Sequence, residues 1–174
     1  MRIIFLGPPG VGKGTQSKRL VEYLGIPHIS SGQMLRQAIA DDTEVGRTSK
    51  TYLSSGKLVP DQIILKMMAD RLSQPDCKTG YLLDGFPRTL GQAQSLDQIL
   101  QAMRTPLSAA LELVVDRDQI VKRLMARGRH DDHPEIFRER LEHYARQTAP
   151  LLDYYRQRGL LYSIDGMGSP DEVF

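Results

Sequence analysis

Residues 3–15 constrain this chain more than any other stretch. Ile3-Ile4-Phe5-Leu6 is apolar and breaks into Gly7-Pro8-Pro9-Gly10-Val11-Gly12-Lys13-Gly14-Thr15, after which a helical pattern begins. A short strand, a glycine-rich loop with one lysine, and then a helix make a cradle for phosphate. Glycines let backbone N–H groups point inward with no Cβ in the way. The helix N-terminus adds unpaired donors and partial positive charge. Lys13 adds an ammonium for the outer phosphates. The general pattern puts Ser or Thr straight after the lysine, as a magnesium ligand. Here that place is Gly14, and Thr15 comes one later. The loop predicts nucleoside triphosphate binding with an altered treatment of the metal.

Bulk properties narrow the rest. At 174 residues the chain is long enough for one domain with a real core. Its 23 basic and 21 acidic residues leave a charge of +2, too balanced to argue for nucleic acid or a membrane surface as partner. A small excess of arginine suits a polyanionic small molecule equally well. Cys77 is the only cysteine, so the chain can form neither an internal disulfide nor a cysteine-based zinc site. No charged leader precedes the first strand, and no apolar run approaches the roughly 20 residues of a membrane span. These features predict a soluble, cytoplasmic protein.

Strand and helix signals alternate. Strands are expected at Arg2 to Leu6, Pro27 to Ile29, Tyr81 to Leu83, Ala109 to Val115 and Leu160 to Ile164. Helices are expected from Thr15 to Leu24, over 33–40 and 43–55, after Pro60, from Leu90 to Met103, around Ile120-Val121-Leu124, and as one long element over 135–158. A turn of helix begins before Phe174, and a further C-terminal helix is expected beyond it. Such alternation predicts an α/β fold of three layers, with a five-stranded parallel sheet covered by helices on both faces. Ligands of such sheets sit beyond the carboxyl ends of the strands. Two segments follow strands directly, 7–15 and 84–88. Asp84-Gly85-Phe86-Pro87-Arg88 puts an acid where a phosphate-binding protein of this type keeps one near Mg²⁺, and an arginine at a sheet edge close to the phosphates.

At this point the chain resembles the adenylate kinases, in their short form without a zinc-bearing lid. The resemblance rests on seven stretches in the family's order. They are the Gly-Pro-Pro-Gly-Val-Gly-Lys-Gly-Thr loop, Ile29-Ser30-Ser31-Gly32 through Leu35-Arg36, Gly56-Lys57-Leu58-Val59-Pro60-Asp61, Asp84 to Arg88 with Gln92, Arg123 with Arg127-Gly128-Arg129, Asp131-Asp132, and Arg140. Gly14-Thr15 is itself the family's form of the loop. The resemblance implies a single P-loop domain with its core at 1–29, 60–126 and 135–174, an AMP-binding insertion at 30–59 and a short lid at about 127–134.

It also implies reversible transfer of the ATP γ-phosphoryl group to AMP, giving two ADP. Such transfer needs positioning and charge stabilisation more than covalent chemistry. Guanidinium groups supply both, since they bind phosphate bidentately and stay charged. By resemblance, Lys13 and the amides of Gly10, Val11, Gly12, Gly14 and Thr15 hold the ATP phosphates, Arg123 stacks on its adenine, and Gly168 offers backbone to that base. The AMP side is Ser31, Arg36, the Lys57-Leu58-Val59 backbone, Gly85, Phe86, Pro87, Arg88 and Gln92. There Arg36 and Arg88 grip the phosphate, and Gln92 reads the adenine edge. Arg127, Arg129 and Arg140 close over the transferring group, with Arg129 and Arg140 also on the AMP side and Arg127 on the ATP side. Mg²⁺ is expected on the ATP phosphates and water, with no direct protein ligand, and Asp84 orienting those waters. An aspartate is common in the family where Gln33 stands, which weakens a two-carboxylate account. No zinc, nucleic acid or membrane is implied, and a monomer is expected.

Simpler readings cover other residues. His130-Asp131-Asp132-His133 reads as lid and hinge rather than as a metal cluster. His28 and His143 read as structural, and Ser31 has a helix-cap reading beside its AMP one. Arg138, Arg146, Arg156 and Arg158 read as solvating a helix face, and Cys77 as a loop thiol with no role. Two rivals remain. One is a UMP/CMP-type kinase, which tends to carry alanine and asparagine where Ser31 and Gln92 stand; the other is a non-catalytic nucleotide sensor.

Overall fold

The computed structural model describes residues 1–127 and 134–174. Strands β1 (Arg2–Leu6), β2 (His28–Ser30), β3 (Tyr81–Asp84), β4 (Ala109–Val114) and β5 (Leu161–Asp165) form one parallel sheet in the order β2-β3-β1-β4-β5. β1 pairs with β3 on one side, Phe5 against Asp84, and with β4 on the other, Leu6 against Glu112. The strand order reverses at β1, so the loop that leaves it opens at the switch point, where α/β sheets bind ligands.

Both faces are covered because successive side chains of a strand point to opposite sides. Ile3 and Phe5 pack with Val11, Ile26, Leu82 and Leu113. Ile4 and Leu6 pack in a larger cluster with Ile29, Leu83, Met68, Leu96, Leu151 and Tyr155. The helices α1 (Lys13–Leu24), α2 (Ser31–Ala40), α3 (Glu44–Ser54), α4 (Asp61–Leu72), α5 (Leu90–Ala102), α6 (Arg117–Arg127), α7 (Pro134–His143), α8 (Pro150–Arg156) and α9 (Pro170–Val173) complete the layers.

Several expectations need correction. The first helix starts at Lys13 rather than Thr15, because Gly12, with φ at 110°, already serves as its N-cap. The helix expected around Ile120 runs the full length of α6. The single long helix over 135–158 is instead α7, a π turn at Tyr144–Thr148, and α8. Pro150 is the physical reason. It has no N–H for the carbonyl four residues back, and an α-helix interior does not absorb that loss cheaply. The chain widens by one residue instead, and Ala149 N–H donates to Tyr144 O at 2.8 Å. Cys77 is no loop thiol in water. It closes a 3₁₀ turn (Pro75–Cys77), is buried, and has Arg71 Nη1 3.1 Å from its sulfur. β3 is flanked by β2 and β1, so the loop that carries Arg88 leaves an interior strand and not the edge of the sheet. Arg158 does more than solvate, for its guanidinium lies 3.5 Å over the Tyr154 ring.

Candidate functional site

A cavity of about 1160 Å³ opens above the carboxyl ends of the strands. Single-ligand pockets run to roughly 1,000 Å³, so the volume suits more than one small ligand. Three groups of residues build its walls.

The first is the loop between β1 and α1. Its Gly7, Gly10 and Gly12 all have positive φ. At Gly7 space matters as well, because a Cβ there would lie 3.2 Å from Leu113 O. Gly12 caps α1 with no side chain, so the helix N-terminus faces the cavity uncovered. Lys13 Nζ donates to Gly7 O at 2.6 Å and to Pro8 O at 3.0 Å, folding over its own loop. Opposite, Arg123 donates to Val11 O at 2.8 Å and to Gly166 O at 2.7 Å. This ties the loop to the segment after β5, where Gly168 lines the same cavity.

The second group follows β3. Gly85, with φ at 77°, sits where a Cβ would fall 2.9 Å from both Ser31 Oγ and Arg88 Nη2. Ser31 Oγ donates to Gly85 O at 2.7 Å, and Arg88 Nε donates to the same carbonyl at 2.7 Å. Ser31 is therefore not the helix cap that the simpler reading offered; Ser30 holds that position, without a side-chain bond. The Phe86–Pro87 peptide is cis. Arg36, Lys57, Leu58, Val59, Pro87 and Arg140 complete this arm.

The third element is Asp84, at the end of β3. Burial would raise its pKa, but the His28 imidazole, 3.6 Å away, and the charges of Lys13 and Arg88 outweigh it, so the carboxyl is held below its ordinary value. Burial lowers the pKa of Arg88; Asp84 opposes that shift, while Arg140 and Arg36 add to it. Two further guanidinium groups, those of Arg36 and Arg140, thus bear on Arg88, a field that a polyanion would relieve.

The structure also separates some expected residues from the cavity. Phe86 is buried in the core and does not line it. Gln92 is 3% exposed and does not line it either. Its Oε1 accepts from Arg88 N–H at 2.8 Å, and its Nε2 donates to Asp61 Oδ1 at 2.6 Å. Arg127 ends α6, and nothing is assigned to its side chain. Arg129, with Gly128, His130, Asp131, Asp132 and His133, lies outside the described residues. Conversely, His28, Gln119, Tyr144 and Thr148 line the cavity, although sequence reasoning gave them no role there. His28 pairs with Leu82, two residues before Asp84, whose own partner across the strands is Ser30, so no spacing in the sequence signalled the His28–Asp84 approach.

Comparison with known proteins agrees with this geometry. The model of the family described as adenylate kinase matches residues 5–160. A protein of Methylobacterium nodulans named adenylate kinase is 50% identical over 183 residues, covering 99% of this chain and 92% of its own. One of Mycolicibacterium paratuberculosis with the same name is 48% identical over 174 residues, covering 100% and 95%. A third, also so named, from Archaeoglobus fulgidus, is 43% identical over 197 residues, covering 95% and 91%.

Proposed function

The chain belongs to the adenylate kinase family and is a phosphotransferase acting on ATP and AMP, and we propose how its own residues divide that work. The observation that carries the proposal is one cavity with two arms, a phosphate loop on one side and the Arg36, Arg88, Arg140 group on the other. ATP takes the loop. The amides of Gly10 to Thr15 and the Lys13 ammonium hold its β and γ phosphates, Arg123 lies against the adenine, and Gly168 offers backbone to it. AMP takes the other arm, between Ser31, Arg36, the Lys57-Leu58-Val59 backbone, Gly85, Pro87 and Arg88. Two nucleotides held this way bring donor and acceptor phosphates in line, and most of the catalysis lies in that positioning. Arg88 and Arg140, with Arg127 and Arg129 from the segment about 127–134, neutralise charge on the moving group. Closure of that segment as a lid excludes water, the competing acceptor.

Magnesium is part of the proposal. Asp84 is the acidic side chain at this end of β3, held ionised, and Gly14 gives no hydroxyl directly after Lys13. That donor set fits an ion that keeps its waters, bound through ATP phosphates, with Asp84 accepting hydrogen bonds from the water shell. The ion would neutralise phosphate charge. Among the described residues no helix is long and apolar enough to cross a membrane. A cytoplasmic monomer with neither nucleic acid nor membrane as partner belongs to the same proposal.

Gln92 needs a further step. Its amide uses one acceptor site and one N–H internally and keeps a second of each, but it is buried, so reading the adenine edge requires the acceptor arm to open toward it. The test is phosphate transfer from ATP to AMP, GMP, CMP and UMP, measured side by side. AMP should be preferred, because a site with fixed hydrogen-bonding groups rejects a mismatched base strongly. Preference for CMP or UMP would overturn the acceptor assignment. Binding of nucleotides without transfer would overturn the catalytic one.

A further inference from the structure

Arg88 lies in neither a strand nor a helix, yet its peptide groups are held on both sides by side chains, one from the first turn of α5 and one from the distant π turn. Its N–H donates to Gln92 Oε1 at 2.8 Å, and its carbonyl accepts from Thr148 Oγ1 at 2.8 Å. Gln92 is held in turn. Its Nε2 donates to Asp61 Oδ1 at 2.6 Å, and its own N–H donates to Thr89 Oγ1 at 3.1 Å. Thr89 Oγ1 donates to the second oxygen of Asp61 at 2.9 Å. An ionised carboxylate only accepts, so Asp61 fixes the Gln92 amide with its NH₂ toward Asp61 and its oxygen toward Arg88. Thr148 is the last residue of the π turn, and it is 9% exposed. The one-residue widening sets the angular position of Thr148 relative to α7, the helix that carries the cavity-lining Arg140.

We propose that Asp61 and Thr148 are positioning residues for Arg88, clamping its backbone so that the guanidinium meets the phosphate of the acceptor nucleotide. The inference rests on Arg88 gripping that phosphate, as argued above. The Nε–Gly85 O bond fixes one edge of the guanidinium, and the clamp fixes the chain from which it hangs. Loosening the clamp moves the arginine by fractions of an ångström, and phosphoryl transfer is sensitive on that scale. The hydrogen bonds given above for Lys13 and Arg123 run to the phosphate loop and to Gly166, and not to Asp61, Gln92 or Thr148.

The test is steady-state kinetics on four variants with each nucleotide varied in turn. Thr148→Val removes the hydroxyl and keeps the shape. It should raise the KM for AMP about fivefold or more, the scale of one buried partner lost, while the KM for ATP stays within about twofold. Thr148→Ser returns a hydroxyl and should restore the AMP value. If Thr148→Val does not fold, Asp61→Ala reads the same split through Gln92. An unchanged AMP value, equal shifts for both nucleotides, or no rescue by serine would overturn the clamp. Arg88→Lys separates the two layers. If it leaves the AMP value untouched, the reading of Arg88 fails, and the inference with it. If it raises that value and Thr148→Val does not, only the clamp fails.

Discussion

Lys13 shows how a single side chain can be poised without being committed. Its ammonium leans on two neutral carbonyls of its own loop, those of Gly7 and Pro8. A phosphate oxygen accepts from the same ammonium and adds a negative charge, so an ion pair replaces bonds to neutral carbonyls. Binding therefore trades partners and costs little rearrangement. Lys13→Met should abolish nearly all transfer, while the chain still folds at a stability cost of about 3 kcal/mol, the scale of hydrogen bonds made by a charged group. Turnover and thermal melting of the same preparation check this. Turnover within about tenfold of the parent, worth roughly 1.4 kcal/mol, would remove Lys13 from the machinery. Gly85 makes the complementary point about space. Any Cβ there would press on Ser31 and Arg88 together, the residues at the head of the acceptor arm.

At the scale of elements, the packing of α2 on α3 turns on Gly46. A Cβ at that position would lie 2.0 Å from Ala38 O and 2.6 Å from Ile39 N, inside the backbone of the neighbouring helix. Backbone cannot step aside as a flexible side chain can. Gly46→Ala should cost about 1–3 kcal/mol or more through overpacking, and lower the melting temperature by about 2–4 °C for each of those. Because α2 opens with Ser31 and carries Arg36, AMP binding should weaken with it; calorimetric melting and AMP titration would show both, and an unchanged melt would mean the helices can part. The close approach at Gly46 leaves no mark in the sequence, since nothing distinguishes a glycine under a helix from one in open space. Other elements were legible. β1 and β3 announce themselves because a buried parallel strand is a continuous apolar run, and 7–15 and 84–88 because each is contiguous with the end of such a strand. The break between α7 and α8 was written in Pro150, but the apolar positions Leu141, Tyr144, Thr148, Leu151 and Tyr155 keep a helical rhythm through it, and a period of that kind does not register one added residue. Asp61 and Thr148 stayed silent for another reason. Asp61 bonds to Thr89 and Gln92, 28 and 31 residues along the chain, and Thr148 to Arg88, 60 residues away, and a hydrogen bond at such range has no local signature.

Four of the seven tyrosines, Tyr52, Tyr81, Tyr154 and Tyr155, pack in or against the larger core cluster, and the buried ones set how the whole molecule meets alkali. Tyr81, at the head of β3, is 1% exposed; burial pushes its hydroxyl pKa up to about 12, with the Arg2 charge acting weakly against that. Tyr155, on α8, is displaced upward for the same primary cause, with the Asp97 charge adding to it. Tyr144, beside the cavity, is pushed up to about 12 by burial and by Glu112. In the unfolded chain each would ionise near its usual value of about 10. Below that pH both states hold the proton and the stability is fully present. Between about 10 and 12 the unfolded chain loses protons that the folded one keeps, so unfolding gains and stability falls as pH rises. Beyond the folded value the loss levels off, because both states are then ionised. A two-unit displacement corresponds to roughly 2–3 kcal/mol for one buried group. Denaturant unfolding from pH 8 to 12 should therefore show a steep alkaline decline, and Tyr81→Phe should make it shallower by about that amount. Parallel profiles for the parent and Tyr81→Phe would mean that alkali acts elsewhere, through groups at the surface. Where the core survives to about pH 12, Tyr144 begins to ionise there and adds a negative charge to a cavity whose arginines are arranged for phosphate.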